Sequence, residues 1–308
     1  MIVSASNITK YYGSFRALHD FHVEIPEQSI FGLLGPNGAG KSTFIRILNQ
    51  IIFSDEGSIH IEGEPLAPKH IARIGYLPEE RGLYKKMQVG EQLLFLAQLK
   101  GLSKSEASRR IREWLTKFEL MPWINKKVED LSKGMQQKVQ FIATVVHQPM
   151  LIILDEPFSG FDPVNAELIK DEILQLRSQG ATVLFSTHRM ESVDEICDHM
   201  VMINKSEKVL EGKIDEVKKR FKKNTYQFRF RGECPNDLHI VSEEKAENGY
   251  RDLLIKLGEG ETVNEFLTRM LPIGDVGGIQ EHIPTINSIF IQAVKEDLRI
   301  TQIQNHHA

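Results

Sequence analysis

The feature that most constrains this chain is a glycine-rich segment near its start, GPNGAGKST at residues 35–43. It fits the pattern G-x-x-x-x-G-K-[ST], in which backbone N–H groups, a lysine and a hydroxyl surround phosphate groups. The segment follows an apolar, strand-like run at 30–34 and precedes a helical pattern that starts near Lys41. A helix N-terminus placed after such a turn attracts anions through its free N–H groups and its dipole. We therefore expect a nucleoside triphosphate site here.

The residues of this loop have different predicted tasks. Its glycines let the backbone curl so that the N–H groups point inward. Lys41 supplies positive charge for the β- and γ-phosphates, and Ser42 offers a hydroxyl to Mg²⁺. The predicted nucleotide-binding residues are Gly35, Pro36, Asn37, Gly38, Ala39, Gly40, Lys41, Ser42 and Thr43.

Length and charge narrow the remaining possibilities. The chain has 308 residues, enough for two domains. Its net charge of −4 lacks the basic footprint of a nucleic-acid-binding protein, so we expect no nucleic-acid partner. No run reaches the ~18 apolar residues of a membrane span. A membrane function would therefore need another chain to cross the bilayer.

The order of strand-like and helix-like patterns predicts an α/β domain over residues 1–222 with a partly parallel sheet. Residues 89–147 read as mostly helical, and a small α+β domain is expected at 225–297. Residues 298–308 read as a loose tail. Strands are predicted to start near Phe21, Ile30, Gly57, Ile74, Leu151, Thr182, Met200, Lys208, Tyr226 and Leu253.

Two acidic residues follow an apolar run in LIILDE at 151–156. Such a run is typical of a buried parallel strand, whose carboxyl end opens into the ligand site of an α/β sheet. Beside a phosphate loop, Asp155 is the expected partner of Mg²⁺, directly or through water. Glu156 is placed to polarise the attacking water.

Three further segments lie at predicted element ends. LSKGMQQK at 131–138 opens a helix with Ser132 as its N-cap. In SGFDP at 159–163, Asp162 precedes a proline that favours the first position of a helix. His188 ends the strand-like run before it and is a candidate sensor of the γ-phosphate.

Together these segments resemble the ATP-binding cassette (ABC) ATPases. The phosphate loop, LSKGMQQK, LIILDEP, SGFDP and STH at 186–188 occur in the order and approximate spacing of that family, over residues 2 to about 220. The remainder resembles the accessory C-terminal domain of some bacterial export-type members, with 283–296 as its closing helix. The resemblance implies a P-loop NTPase cassette fold, with a mixed sheet, a helical subdomain and a small α+β C-terminal domain.

The resemblance also implies roles for single residues. Tyr12 matches the aromatic residue that stacks on adenine, with Tyr11 as the alternative. Ser132 and Gly134 match positions that touch the γ-phosphate bound by the opposite subunit. Asp162 matches the residue that couples the two sites, and His188 matches the switch histidine.

On the same basis the cofactors are ATP and Mg²⁺, and the protein is a hydrolase. Its partners are a second cassette subunit, in a homodimer or a heterodimer, and a separate transmembrane permease. It is then expected at the cytoplasmic face of the cell membrane, driving a transporter, and an exporter by analogy with the family.

This chain departs from the family pattern in two places. In the segment at 131–138, Lys133 replaces a usual glycine and Met135 a usual glutamine. After the strand at 74–77, Glu79 stands where the family usually has a glutamine that contacts Mg²⁺ and the attacking water. Glutamate is also a hard oxygen ligand, so Glu79 remains a predicted metal ligand, and Glu80 could share the role.

Two alternatives belong to other functional classes. One is a soluble cassette ATPase of DNA repair or translation, which usually carries a long coiled coil, zinc-binding cysteines or two cassettes. The other is a regulatory module that holds ATP without turnover. The presence of Lys41, Asp155, Glu156 and His188 argues against the second.

Overall fold

The structure is a computed structural model that describes residues 1–80, 82–159 and 162–295. Contacts between Cα atoms divide the chain into two compact units. The first contains Met1–Ile214 and the described residues 293–295, and the second contains Asp215–Gln292. The predicted tail at 298–308 lies outside the described residues.

The first unit alternates strands and helices along the chain. Its strands are β1 (Val3–Tyr12), β2 (Phe15–Ile25), β3 (Ile30–Leu34), β4 (Glu56–Ile61), β5 (Glu64–Pro65), β6 (Ile74–Leu77), β7 (Leu151–Asp155), β8 (Thr182–Thr187), β9 (His199–Asn204) and β10 (Glu207–Lys213). Its helices are α1 (Lys41–Leu48), α2 (Pro68–Ile71), α3 (Val89–Leu99), α4 (Lys104–Lys117), α5 (Lys133–Val145), α6 (Pro163–Ser178) and α7 (Glu191–Ile196). Helix α8 (Ile214–Arg220) follows β10.

The central sheet of this unit positions the site. Its strand order is β10-β9-β3-β8-β7-β6, with all neighbours parallel except β10 and β9. Every residue of β3, β7 and β8 is buried, as expected for parallel strands covered on both faces. Because carboxyl ends of parallel strands meet at one edge, the segments after β3, β6, β7 and β8 converge there.

A second, antiparallel sheet with the order β2-β1-β4-β5 packs through a shared apolar core. Phe21 of β2 meets Phe44 of α1 edge to face, with ring centroids 5.0 Å apart. This contact ties the helix that follows the phosphate loop to the antiparallel sheet. Aromatic pairs in this geometry stabilise by about 0.5–1.5 kcal/mol beyond their buried area.

Helices α3, α4 and α5 lie within the segment that the sequence predicts to be mostly helical. Ser103 caps α4 by accepting a hydrogen bond from Glu106 N, and Ala107, Ile111 and Leu115 form its buried stripe at helical spacing. Phe118 packs edge to face on Phe141 of α5, with centroids 6.0 Å apart. This packing fixes α5, which carries the predicted residues Ser132 and Gly134 at its start.

The second unit is an antiparallel sheet covered by a helix. Its elements are β11 (Thr225–Gly232), β12 (His239–Lys245), β13 (Arg251–Lys256), α9 (Val263–Met270) and β14 (Gly274–Glu281), and residues 286–292 are helical. The sheet order is β12-β13-β11-β14. Phe228 and Phe266 meet edge to face at 4.9 Å between the sheet and α9. The α/β first unit and the α+β second unit confirm the predicted fold class.

Four strands were absent from the prediction, and one of them, β5, is only two residues long. β1 and β12 have irregular polar and apolar alternation, and register shifts interrupt their pairing. β14 contains Gly274, Gly277 and Gly278, which disfavour a strand locally. Pairing with distant strands overrides these local signals. Within the described ranges, no helix is both long and apolar enough to cross a membrane.

Candidate active site

The phosphate loop turns tightly between β3 and α1. Gly40 has φ 118°, and a Cβ there would lie 2.6 Å from the carbonyl oxygen of Ala17. A Cβ at Gly35 would collide with the carbonyl oxygen of Ile203. Both positions therefore require glycine. Helix α1 starts at Lys41 without a side-chain cap, so its first N–H groups are available to an anion.

Lys41 lies buried beneath this loop. Its Nζ donates to the carbonyl oxygens of Gly35 at 2.7 Å and of Pro36 at 3.2 Å. Burial lowers the pKa of the Lys41 ammonium, and the nearby carboxylates, Glu156 first, oppose that fall. Ala39 is also buried, and its N–H donates to Pro36 O at 3.2 Å, which closes the turn. The loop thus holds a lysine beside its own backbone.

A cavity of about 310 Å³ joins the loop to other predicted residues. It is lined by Tyr12, Phe15, Ala17, Asn37, Gly38, Gly40, Lys41, Ser42, Thr43, Glu79, Asp155 and Glu156. One space therefore contains the loop, both strand-end acids, Glu79 and one predicted aromatic residue. Tyr11 is exposed but is not among the lining residues, so the geometry favours Tyr12 over Tyr11.

Asp155 is the last residue of β7 and is buried. It lies opposite Ser186 of β8 in the sheet register, and the Ser186 hydroxyl donates a hydrogen bond to its carboxylate. Burial raises the pKa of the Asp155 carboxyl, and the Ser186 hydrogen bond counteracts part of that rise. Sequence reasoning assigned no role to Ser186, although it precedes Thr187 and His188 in the quoted STH segment.

Glu156 is held by the end of the neighbouring strand. Its Oε1 accepts from His188 N at 2.8 Å and lies 2.7 Å from His188 Nδ1, and its Oε2 accepts from Thr187 Oγ1 at 3.2 Å. Its φ of 51° is left-handed, a conformation that is uncommon outside glycine and clusters at functional sites. The carboxylate is thus oriented beside the cavity, where it can accept a proton.

The donor set of the cavity fits Mg²⁺. Ser42, Asp155 and Glu79 supply a hydroxyl and two carboxylates to one space. Mg²⁺ prefers hard oxygen ligands and is usually held by one or two carboxylates together with substrate phosphates and water. The chemistry of these side chains therefore agrees with the predicted ion.

Three other predicted residues, Ser132, Gly134 and Asp162, do not line this cavity. Ser132 caps α5, with its Oγ accepting from Met135 N at 3.3 Å. The predicted cap Ser132 is therefore confirmed. Asp162 caps α6, accepting from Asn165 N at 3.0 Å, a role that the sequence analysis had not assigned. A Cβ at Gly134 would lie 3.5 Å from Asn165 Nδ2, so the starts of α5 and α6 are neighbours.

A second cavity of about 340 Å³ lies between these two groups of residues. Glu79, Asp155 and Glu156 line both cavities, and Lys133 and Gln137 line only the second. Gln137 Nε2 donates to Ser159 O at 2.7 Å, and Ser159 N donates to Glu156 O at 3.0 Å. Two hydrogen bonds therefore connect α5 to the turn that carries Glu156, a link that no local pattern predicted.

A strand, a glycine loop, a helix that begins at a lysine, and a carboxylate at the end of a parallel strand together define a P-loop NTPase. The comparisons with known proteins refine this class. Residues 18–159 match a family model described as ABC transporter. Residues 212–294 match the model of the C-terminal domain of DrrA1-3-like ATP-binding proteins.

Individual relatives agree with these models. The chain is 39% identical over 297 residues to the uncharacterized ABC transporter ATP-binding protein YhaQ of Bacillus subtilis (strain 168), covering 95% of this chain and 98% of the relative. It is 33% identical over 219 residues to the Nod factor export ATP-binding protein I of Cupriavidus metallidurans, covering 70% and 72%. A solved structure of the ATP-binding subunit of an ABC transporter matches with a TM-score of 0.67 and 29% identity, covering 72% of this chain and 93% of that one.

The chain therefore belongs to the ABC transporter ATP-binding proteins. Its activity is the hydrolysis of ATP, as in the other cassettes of the family. Subunits of this kind dimerise and work with a membrane permease. Because the relatives are transporter subunits, the alternative of a soluble repair or translation ATPase is not favoured.

Proposed function

We propose that the protein hydrolyses Mg-ATP as one half of a cassette dimer and drives a separate permease of an export-type transporter. The observation that carries this proposal is the position of Glu156 inside the phosphate-loop cavity, with its carboxylate held by Thr187 and His188. A carboxylate fixed beside a phosphate site suits hydrolysis, whereas a module that only holds ATP has no need of it.

The near side of the site binds and orients the nucleotide. The N–H groups of the loop and the first turn of α1 surround the phosphates, and Lys41 leaves its bonds with Gly35 and Pro36 to pair with them. Ser42 and Asp155 would hold Mg²⁺, with Glu79, which follows β6, as a further oxygen ligand. When bound, the ion neutralises charge on the phosphate oxygens. Tyr12 stacks on the base.

Glu156 carries the proton transfer. Its Oε1 or Oε2 accepts a proton from the attacking water, which raises the nucleophilicity of that water. The contacts from His188 and Thr187 set the direction of the carboxylate before the reaction. We infer that His188 also contacts the γ-phosphate, since it directly follows β8 at the edge where the loop lies.

The far side of each site comes from a second subunit. Ser132, Gly134 and Asp162 do not line the chain's own phosphate-loop cavity, and Ser132 and Asp162 are exposed at helix starts. Helix starts with small polar residues are suited to phosphate. We infer that Ser132 and Gly134 touch the γ-phosphate held by the partner and that Asp162 couples the two sites. Both sites of a homodimer are then complete.

The permease partner needs an apolar surface on this chain. Tyr84, Phe95 and Leu99 are exposed, and the rings of Tyr84 and Phe95 lie edge to face at 6.5 Å. Exposed apolar groups of this size are typical of protein contacts. We propose that this surface meets the permease at the cytoplasmic face of the membrane.

The export direction rests on relatives such as the Nod factor export protein. For residues 225–297 we propose an accessory domain that supports dimerisation or regulation.

Two experiments test this function. Purified protein should hydrolyse ATP only with Mg²⁺, and Lys41→Ala should reduce turnover by at least about 100-fold because the phosphate charge loses its partner. Absence of Mg-dependent hydrolysis in the wild type would contradict the proposal. Affinity purification from membranes should recover a multi-span protein, and recovery of nucleic-acid-processing proteins instead would point to the soluble alternative.

A further inference from the structure

The hairpin of β1 and β2 places two aromatic rings at the mouth of the phosphate-loop cavity. Tyr12 and Phe15 are paired directly across the two strands. Gly13, with φ 61°, begins the two-residue turn that joins them. Directly opposite residues of an antiparallel pair project to the same face, with Cβ atoms about 4.5–5.5 Å apart. The two rings therefore lie side by side on one face of the hairpin.

Both rings are unusually open to solvent for their size. Tyr12 is 45% exposed and Phe15 is 59% exposed, and both line the cavity that contains the phosphate loop. Ala17, two residues beyond Phe15, packs its carbonyl oxygen against Gly40 of the loop. The hairpin is thus joined to the loop, and its two rings line the same cavity as the loop.

The hairpin tip is held in place. Lys10 Nζ lies 5.9 Å from the centroid of the Tyr12 ring and bonds Asp55 at 2.8 Å. Asp55 also accepts from Tyr11 N at 2.6 Å. One side of the Tyr12 ring is therefore occupied by a fixed cation. A planar ligand group is left with the opposite side of Tyr12 and the adjoining surface of Phe15.

We propose that Phe15 is a second base-contacting residue and that, with Tyr12, it selects purine over pyrimidine nucleotides. This rests on the proposed role of the cavity as the ATP site. A fused two-ring base is wide enough to contact both side chains, whereas a single-ring base covers only one. Each stacked aromatic residue contributes about 1–3 kcal/mol to base binding by alanine substitution. Losing the Phe15 contact should therefore weaken purine nucleotides most.

Equilibrium binding of ATP, GTP, CTP and inorganic tripolyphosphate tests the proposal, using the wild type, Phe15→Ala and Phe15→Tyr. Phe15→Ala should raise Kd for ATP and GTP by about fivefold or more, the fold-change equal to about 1 kcal/mol. Kd for CTP should change less, and Kd for tripolyphosphate should stay the same. Phe15→Tyr should restore purine binding. Phe53→Ala is the matched control, because Phe53 is 76% exposed and does not line the cavity.

The outcomes distinguish the role of Phe15 from the proposed function of the cavity as an ATP site. Unchanged ATP affinity in Phe15→Ala would overturn the role of Phe15 and leave the ATP site intact. Equal weakening of tripolyphosphate would also overturn it, because the substitution would then act on the loop rather than on the base. Failure of the wild type to bind any nucleotide would overturn the proposed function as well.

Discussion

The two halves of the nucleotide site are built in opposite ways. In the half around the phosphate loop, Lys41 and Asp155 are buried, and each already has a hydrogen-bond partner inside the chain. In the half around α5 and α6, Ser132 and Asp162 are exposed, and among the described residues each accepts hydrogen bonds from the first turn of its own helix. The first half is preorganised by contacts within the chain, whereas the second half consists of two exposed helix starts.

This difference extends to electrostatics. Burial lowers the pKa of Lys41 and raises the pKa of Asp155, so both groups pay a desolvation penalty in the folded chain. Hydrogen bonds from the α6 backbone lower the pKa of Asp162, so its charge stabilises the fold. At neutral pH the charged forms of Lys41 and Asp155 are therefore disfavoured by folding, whereas the charged form of Asp162 is favoured.

The largest effect should come from Glu156→Gln. An amide cannot accept the proton of the attacking water, so turnover should fall by about 10²–10⁴-fold. ATP binding should persist, because Lys41 and the loop remain. We expect an ATP-bound dimer to accumulate, visible by size exclusion chromatography with saturating Mg-ATP. Glu91→Gln is a control, because Glu91 is exposed on α3 and lines neither cavity. Monomers under these conditions would contradict the two-subunit site.

A mixing experiment separates the two halves directly. Lys41→Ala disables the phosphate-loop half, and Gly134→Asp places a negative charge in the other half. A Cβ at Gly134 meets only Asn165 Nδ2, at an ordinary 3.5 Å, so the substitution fits its own chain. Each variant alone should be inactive.

Mixing the two variants should restore ATPase activity. A mixed dimer contains one site made from the intact loop of one subunit and the intact α5 start of the other. The measurement is steady-state turnover as a function of the mixing ratio. Activity no higher than that of either variant alone would mean that each chain completes its own site.

The contrast in pKa predicts opposite effects of pH on stability. Because the pKa of Asp155 is raised, its protonated carboxyl contributes to folding stability. This contribution is fully present below the unfolded pKa of about 3.9 and is lost as pH rises through the folded value. Asp155→Asn should therefore be more stable than the wild type at neutral pH, and the difference should shrink on acidification.

Asp162→Asn should behave in the opposite sense. Because the pKa of Asp162 is lowered, its ionised carboxylate stabilises the fold above about pH 3.9, and this stabilisation is lost as pH falls. Asp162→Asn should therefore be less stable than the wild type at neutral pH. Thermal melts of both variants without nucleotide, from about pH 2 to about pH 8 so that both transitions are spanned, measure the differences. Equal pH profiles of stability for the two variants would contradict the predicted electrostatic difference between Asp155 and Asp162.

Much of the site was predictable because its signals are local. The loop glycines, the apolar run before Asp155 and the cap Ser132 each depend on a few adjacent residues. The orientation of Glu156 was not predictable, since it depends on contacts with His188 across a parallel sheet. The role of Phe15 was not predictable for the same reason, because its position opposite Tyr12 depends on the register of a hairpin.

The fold follows the same division. The buried parallel strands β3, β7 and β8 can be recognised in the sequence from their apolar runs. β14, with three glycines and mostly unburied side chains, is a strand because it pairs with β11 along nearly its whole length, interrupted by one register shift. Secondary structure created by long-range pairing leaves little trace in the local sequence.

The smallest effect should come from Glu79→Gln, at the point where the two halves meet. Glu79 lines both cavities, and its charge acts on Lys41. The substitution keeps the length of the side chain and one hard oxygen, so a metal ligand is preserved. Its loss of charge removes one of several carboxylates that favour charged Lys41. ATPase turnover should therefore stay within about tenfold of wild type, with Glu80→Gln as the neighbouring control. A fall of more than about 100-fold would show that the carboxylate itself is required, and would place Glu79 with the preorganised half of the site.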